Sequence, residues 1–376
     1  MSLELIASTT FGLEALAADE LRRLGYPELK VENGKVTFSA DLSAICRCNL
    51  WLRTAARVRL KVGEFKASSF EELFEKTKAL PWADYLPADA EFPVEGRSAQ
   101  SALFSVPDCQ AIVKKAVVES LKPKYNLEWF PENGPLFKIE AALLKDTATL
   151  TIDTSGPGLH QRGYRALAGG APLKETLAAA LVILARWYPD IALIDPFCGS
   201  GTILIEAALQ GQNRAPGLNR SFVSEAWPLI PSKYWEEARL EARDLIKPVQ
   251  PDYLIGTDID QRVLRIARHN AAAAGLEGLI HFQQREAKET KSAKKYGKLI
   301  TNPPYGERLG NEKEVEQLYR ELAQVCRDLD TWSFYILTAF PRLEKIMGRK
   351  ATKRRKLYHG GIETQYYQYY GPRPPR

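Results

Sequence analysis

The chain has 376 residues, 45% apolar and 26% charged, with a mild net charge of +6. That composition suits an ordinary globular protein of two or three domains. The longest apolar run, Leu177–Ala185, is too short to span a bilayer, and the opening "MSLELIASTT" lacks the basic flank and apolar core of an export signal. Five dispersed cysteines (Cys46, Cys48, Cys109, Cys198, Cys326) fit reduced thiols, so a cytoplasmic protein is expected. The lone CxC at Cys46 and Cys48 and four scattered histidines complete no zinc site. Both thiols read as helix packing, and no metal is expected.

In chain order, "LELIAS" predicts a strand and "LEALAADELRRLG" a helix ending at Gly25. "KVTFSA" follows as a strand and "LSAICRCNLWL" as a helix, while "RVRLKVGEF" alternates basic and apolar residues like a half-exposed strand. Then come a helix at "SFEELFEKTKAL", a strand at "EFPVEGRS", a helix at "PDCQAIVKKAVVESL", and strands at "LFKIEAALL" and "TATLTIDTS". This order predicts small α+β units closing on a hairpin. The glycine-rich stretch Thr154–Pro172 reads as a linker. Beyond it strands and helices alternate to about residue 350, the pattern of a doubly wound parallel sheet.

That second half opens on "IALIDPFCGSGTILIEAAL": an apolar strand ending at Asp195, then Pro196 and Phe197, a turn through Gly199 and Gly201, and a helix from Thr202. Ligands of such sheets bind at the carboxyl ends of the strands, where glycine lets backbone approach them. A nicotinamide fingerprint wants a third glycine where Leu204 stands, and a phosphate loop wants a lysine that is missing. The next strand, "YLIGTDID", carries Asp258, Ile259 and Asp260. An acid here can hold ribose hydroxyls or cap the following helix. The ribose role is favoured for Asp258, with Asp260 as the substitute. Its distance from the glycine turn implies an insertion over Gly211–Pro248. "LIHFQQREAKE" gives a third strand with Glu286 near its end.

The fourth strand ends in "TNPPYGERLG", Thr301–Gly310. Two prolines stop a strand, because neither nitrogen can donate to the ladder. They also make a rigid corner that exposes an amide, a carbonyl and a ring. Basic runs at Lys288–Lys298 and Gly348–Lys356 point to a polyanionic partner.

"DPFCGSGT", "GTDID" and "NPPYGERLG" together resemble the class I S-adenosylmethionine-dependent amino-methyltransferases. With "QRGYR…APLKETLAAAL", "PDCQAIVKKAVVESL" and "RRKLYHGGIETQYYQYYGPRP", the chain is similar to the THUMP-domain RNA guanine-N2 methyltransferases, most closely the RlmL-type 23S rRNA enzymes in their single-methyltransferase form. The resemblance implies a ferredoxin-like domain at 1–60, a THUMP RNA-binding domain at 61–155, a linker at 156–170 and a Rossmann-like methyltransferase domain at 171–376. It implies S-adenosylmethionine as cofactor, held by Asp195, Pro196, Phe197, Gly199, Gly201, Thr202, Asp258, Ile259, Glu286 and Asn302. The family pattern has Asp where this chain has Glu286, so Glu289 is the alternative contact to adenine. RNA is the expected partner, with Arg162, Arg165, Arg354 and Arg355 as candidate contacts. The first two could equally serve the linker's own turns, and the second two a solvated strand face. Tyr366, Tyr367, Tyr369 and Tyr370 read as sheet packing.

Guanine's exocyclic amine is a poor nucleophile, because its lone pair is delocalised into the ring. Two rigid acceptors aimed at its N–H bonds would favour a pyramidal nitrogen. Asn302 and the Pro303 carbonyl can supply them, stiffened by Pro304. Tyr305 is expected to offer a π-face to the flipped base. The same chemistry on a tRNA guanine, and a non-catalytic ribosome-assembly factor, are the competing readings.

Overall fold

A computed structural model describes residues 2–165, 173–248, 253–305 and 312–375. The chain forms two units, one of Met1–Thr9, Ala17–Leu159 and Ser221–Glu241, the other of Thr10–Leu16, His160–Arg220 and Ala242–Arg376.

The N-terminal elements are β1 (Leu3–Thr9), α1 (Glu14–Arg23), β2 (Leu29–Glu32), β3 (Lys35–Ala40), α2 (Ser43–Trp51) and β4 (Ala55–Lys66). Their β-α-β-β-α-β order with strands arranged β2-β3-β1-β4 is ferredoxin-like. Nothing in the sequence pattern announces β2, four residues of which none is buried. The next elements are α3 (Phe70–Lys78), β5 (Val94–Ala99), α4 (Val106–Tyr125), β6 (Ile139–Leu144) and β7 (Thr147–Asp153). They extend the same sheet, β4-β7-β6-β5.

The small α+β units expected from sequence therefore share one seven-stranded sheet. β4 pairs with β1 over Ala55–Lys61 and with β7 over Arg59–Lys66, so a division at residue 60 falls inside a continuous strand. Its register shifts between Lys61 and Gly63, where a Cβ on Gly63 would lie 2.5 Å from Leu80. Glycine here lets the strand kink against the helical layer. Cys46 and Cys48 are free and buried in α2.

The remaining elements are α5 (Glu175–Leu184), β8 (Leu193–Asp195), α6 (Thr202–Gly211), α7 (Ser232–Asp244), β9 (Leu254–Asp258), α8 (Gln261–Ala273), β10 (His281–Gln284), β11 (Lys298–Thr301), α9 (Glu312–Asp328), β12 (Ser333–Thr338), α10 (Leu343–Met347), β13 (Lys353–His359) and β14 (Ile362–Tyr369). The inserted stretch Ser221–Glu241 belongs to the first unit. There Trp227 stacks on Phe137 at 4.5 Å and donates its Nε1–H to the Leu136 carbonyl at 2.9 Å.

The second sheet runs β10-β9-β8-β11-β12-β14-β13. Its first five strands are parallel, and β14 is antiparallel to both neighbours. The central strands are buried on both faces, which is why they read as apolar runs. Side chains alternate between two cores, Leu193 and Ile300 in one, Ile194 and Leu299 in the other. Strand order reverses between β8 and β11, and ligands of such sheets bind at the carboxyl ends beside that reversal. Among the described residues no helix is long and apolar enough to cross a membrane.

Candidate active site

Three strand ends of the second sheet meet at the reversal. β8 delivers Asp195, which is 1% exposed. Its Oδ1 accepts from Thr301 Oγ1 at 2.6 Å and from the Phe197 N–H at 3.1 Å. Burial pushes the carboxyl up to about 7, and nearby Asp258 adds to the rise while both hydrogen bonds oppose it.

Pro196 and Phe197 then lead into a turn where Gly199 (φ +52°) and Gly201 (φ +82°) adopt the left-handed conformation. Glycine adopts that region without strain. A Cβ on Gly201 would lie 2.9 Å from the Phe282 ring, whereas one on Gly199 would meet nothing within 4 Å. Gly201 is thus fixed by packing, and Gly199 borders open space.

β9 brings Asp258 across from that turn. Its Oδ2 accepts from the Gly199 N–H at 3.1 Å and its Oδ1 from the Asp260 N–H at 3.0 Å. Each oxygen keeps a lone pair for a ligand hydroxyl. The capping role belongs to Asp260, whose side chain accepts from the Arg262 N–H at 2.8 Å to cap the start of α8. Between the two acids, Ile259 is 67% exposed. Glu286 and Glu289, beyond the end of β10, are both exposed, and Glu286 pairs with Lys288 at 2.5 Å.

Thr202 opens α6, and its Oγ1 accepts from Arg165 Nη2 at 2.6 Å. Arg165 also pairs with Glu175 at 3.3 Å; burial pushes that carboxyl up to about 7 against the arginine's pull. Arg162 is 3% exposed and pairs with Glu206 at 3.4 Å, and the Tyr164 hydroxyl donates to the same oxygen at 3.2 Å. The RNA contacts expected of Arg162 and Arg165 are therefore corrected. The buried guanidinium of Arg162, paired with a buried carboxylate, presents no face to a phosphate, and the half-buried Arg165 is engaged by Thr202, Glu175 and the Leu173 carbonyl. Both arginines brace the linker and α6 instead.

β11 ends at Thr301, and Asn302 follows with its Oδ1 buried and without a hydrogen-bond partner among the described residues. A buried, unsatisfied acceptor costs about 1–3 kcal/mol, and such atoms are rare enough to call for a ligand or a function. Pro303 is buried and Pro304 half-buried. Tyr305 departs from expectation. It is 4% exposed, and its hydroxyl shares a 2.8 Å hydrogen bond with Nδ1 of His359, the rings lying edge to face at 76°. A ring so covered offers no stacking face; it anchors the corner to β13. Gly306–Gly310 of the motif lie outside the described residues.

Two residues at this site escape sequence reasoning, Thr301 and His359. Each acts on a partner remote in the chain, and neither belongs to a local pattern. Elsewhere on β13, exposed Arg354 pairs with Glu344 at 3.1 Å and lies over the Tyr367 ring, while Arg355 is half-buried. Tyr366, Tyr367 and Tyr369 are buried as expected of sheet packing, but Tyr370 is 48% exposed.

Family models match the chain in three places: an RlmL ferredoxin-like domain at residues 4–59, a THUMP domain at 67–153, and an RMKL-like methyltransferase domain at 162–368. The chain belongs to the RMKL-like methyltransferases. It is 55% identical over 376 residues to the "Putative RNA methyltransferase YpsC" of Bacillus subtilis, covering 99% of this chain and 97% of that one. It is 36% identical over 377 residues to the "Ribosomal RNA large subunit methyltransferase K/L" of Syntrophotalea carbinolica, covering 96% of this chain but 53% of that protein. The chain thus spans about half that relative's length. The crystal structure of "SMU.472, a putative methyltransferase complexed with SAH" superposes with a TM-score of 0.95 at 44% identity, covering 100% of this chain and 99% of that one.

S-adenosylmethionine is the cofactor of this RMKL-like methyltransferase. The strand ends fit it: open space beside Gly199, free lone pairs on Asp258, the exposed apolar Ile259, and acidic groups suited to a cation.

Proposed function

We propose that this RMKL-like methyltransferase methylates the N2 amine of a guanosine in 23S rRNA. Support for RNA comes from the THUMP match and from the RNA-directed names of both curated relatives; the ribosomal name of the second supports 23S rRNA. The observation that carries the chemistry is the buried Oδ1 of Asn302 at the reversal of the sheet, which has no hydrogen-bond partner among the described residues. An acceptor in that state suits an N–H donor arriving with the substrate.

In this reading Asp258 accepts from the ribose hydroxyls of the cofactor, Ile259 packs on its adenine, and Asp195 faces its cationic end. When bound, S-adenosylmethionine supplies an electrophilic methyl group on a positively charged sulfur. Asn302 Oδ1 and the Pro303 carbonyl accept from the two N–H bonds of the guanine amine and turn its lone pair outward. The proline pair keeps both acceptors from relaxing, so little reorganisation accompanies the developing charge. Tyr305 and His359 hold the corner from behind. As the carbon–nitrogen bond forms, the carbon–sulfur bond would break with its electron pair going to sulfur, which would leave as a neutral thioether. The nitrogen, briefly cationic between Asn302 and Pro303, would then release one proton to water.

Labelled S-adenosylmethionine, offered with separate rRNA and tRNA fractions and followed by nucleoside analysis, tests this function. Label in N2-methylguanosine from 23S rRNA is expected. Label in tRNA would overturn the substrate, and N6-methyladenosine would overturn the base.

A further inference from the structure

The amino ends of the second sheet carry a feature that the methyl-transfer site does not use. A cleft of about 740 Å³ opens there, below the starts of β8, β9, β11 and β12. Asp195, Asp258 and Asn302 stand at the opposite ends of these strands. Lys298 and Asn302 lie four positions apart along extended chain, roughly 13 Å.

The cleft is strongly cationic. Among the described residues Arg186, Lys294, Lys295, Lys298 and Arg373 line it, against Asp190 alone of the acids. Its deepest cation is built in: Lys298 Nζ donates to the Ala185 carbonyl at 2.6 Å and to the Arg186 carbonyl, at the end of α5. The remaining cations are exposed. A cluster of like charges is unfavourable unless an anion visits it.

The same walls are aromatic. Tyr370 is 48% exposed, with its ring centroid 6.3 Å from that of Tyr335, and Lys294 lies over the Tyr253 ring at 4.7 Å. Exposed tyrosine beside several cations is the surface chemistry of single-stranded nucleic-acid binding, in which charge tracks the backbone and rings stack on bases. A purely ionic phosphate site would have no use for the ring.

We propose that this cleft binds a single-stranded segment of the RNA substrate, with backbone phosphates on Lys294 and Lys295 and a base against Tyr370. The proposal rests on RNA being the substrate and adds a second contact region, remote from the methyl-transfer site. It explains why Tyr370 alone among the four C-terminal tyrosines remains exposed.

The test uses the full chain and a fluorescent single-stranded oligouridylate, with affinity measured across a range of salt. Lys294→Ala with Lys295→Ala should reduce the magnitude of the salt slope by about 1.4, at about 0.7 per phosphate contact. Tyr370→Ala should weaken binding roughly 5- to 150-fold with the slope intact, and Tyr370→Phe should restore it. Cofactor affinity should be unchanged in all three variants, which also verifies their folding. Wild-type affinity and slope in folded variants would overturn the cleft proposal while leaving RNA as substrate. UMP bound as tightly as the oligonucleotide would overturn it in favour of a mononucleotide site. A wild-type enzyme that neither binds the oligonucleotide nor methylates RNA would instead remove the RNA reading itself.

Discussion

The two ends of the second sheet are electrostatic opposites built from the same strands. At the carboxyl ends stand Asp195, Asp258 and an unsatisfied amide oxygen; at the amino ends stand Arg186, Lys294, Lys295 and Lys298. The contrast matches the charges each end would meet, a cationic cofactor above and a polyanion below. Burial acts on both alike. It pushes the Asp195 carboxyl up to about 7 and the Lys298 ammonium down to about 8, because desolvation penalises charge of either sign. A ligand of opposite charge would favour the ionised form of either group. The charge of these two groups is therefore sensitive to a bound partner.

The strongest way to break this picture is to remove the acceptor at the upper pole. Asn302→Ala should lower turnover by about 10²–10³, the usual scale for one preorganised transition-state hydrogen bond. Cofactor affinity should scarcely change. Single-turnover methyl transfer at saturating cofactor, with affinity measured on the same samples, separates the two. Full activity would reduce the proline corner to a strand terminator.

Asp258→Ala comes next. The loss would strand the ribose hydroxyls and release the Gly199 N–H, which donates to this carboxylate at 3.1 Å. One unsatisfied buried group costs about 1–3 kcal/mol, so cofactor affinity should fall roughly 5- to 150-fold. Calorimetry with an unchanged affinity would move the ribose role away from Asp258.

Asp195 sharpens the comparison through pH. Its folded carboxyl titrates at about 7, above the ordinary 3.8, so between these values the folded state holds a proton that the unfolded state has lost. Its contribution to the stability of the cofactor-free protein is therefore full below about pH 4 and falls away as pH rises towards 7. A cationic ligand prefers the ionised carboxylate. Cofactor affinity should accordingly climb with pH and level off above about 7. Asp195→Asn, neutral throughout, should flatten both trends in melting and calorimetric titrations. A wild-type affinity independent of pH would separate this carboxyl from the cofactor's positive charge.

Much of this site was legible in the sequence because parallel strands buried on both faces advertise themselves. Apolar runs end abruptly in "DPF", "TDID" and "TNPPY", and each ending marks a strand's carboxyl edge. What stayed hidden depends on distant partners. The bond from Thr301 to Asp195 joins residues 106 positions apart, and His359 meets Tyr305 across 54. Arg162 looks like a surface cation until Glu206 is brought against it inside the second unit. In the first unit, β2 is too short and too polar to signal itself. The shared sheet depends on β4 pairing on both sides, a property its alternation alone cannot reveal.

The smallest expected effect concerns the edge strand β13. Arg354 and Arg355 lie in the second basic run, yet they differ from the lysines of the amino-end cleft. Arg354 is already engaged, its Nη1 3.1 Å from Glu344 Oε2 and its guanidinium 5.6 Å from the Tyr367 ring centroid. A phosphate reaching it must compete with that carboxylate, and an exposed ion pair of this kind is worth about 0–1 kcal/mol. Arg355 is half-buried and less able to extend towards a ligand. Replacing both arginines by alanine should thus reduce the oligonucleotide salt slope by no more than about 0.7, a single contact. The lysine pair at 294 and 295 should account for about twice that change. Fluorescence anisotropy of both double variants over the same salt series decides the ranking. Equal flattening would extend the polyanion surface to β13, and no change from the arginines would leave that strand as a solvated face.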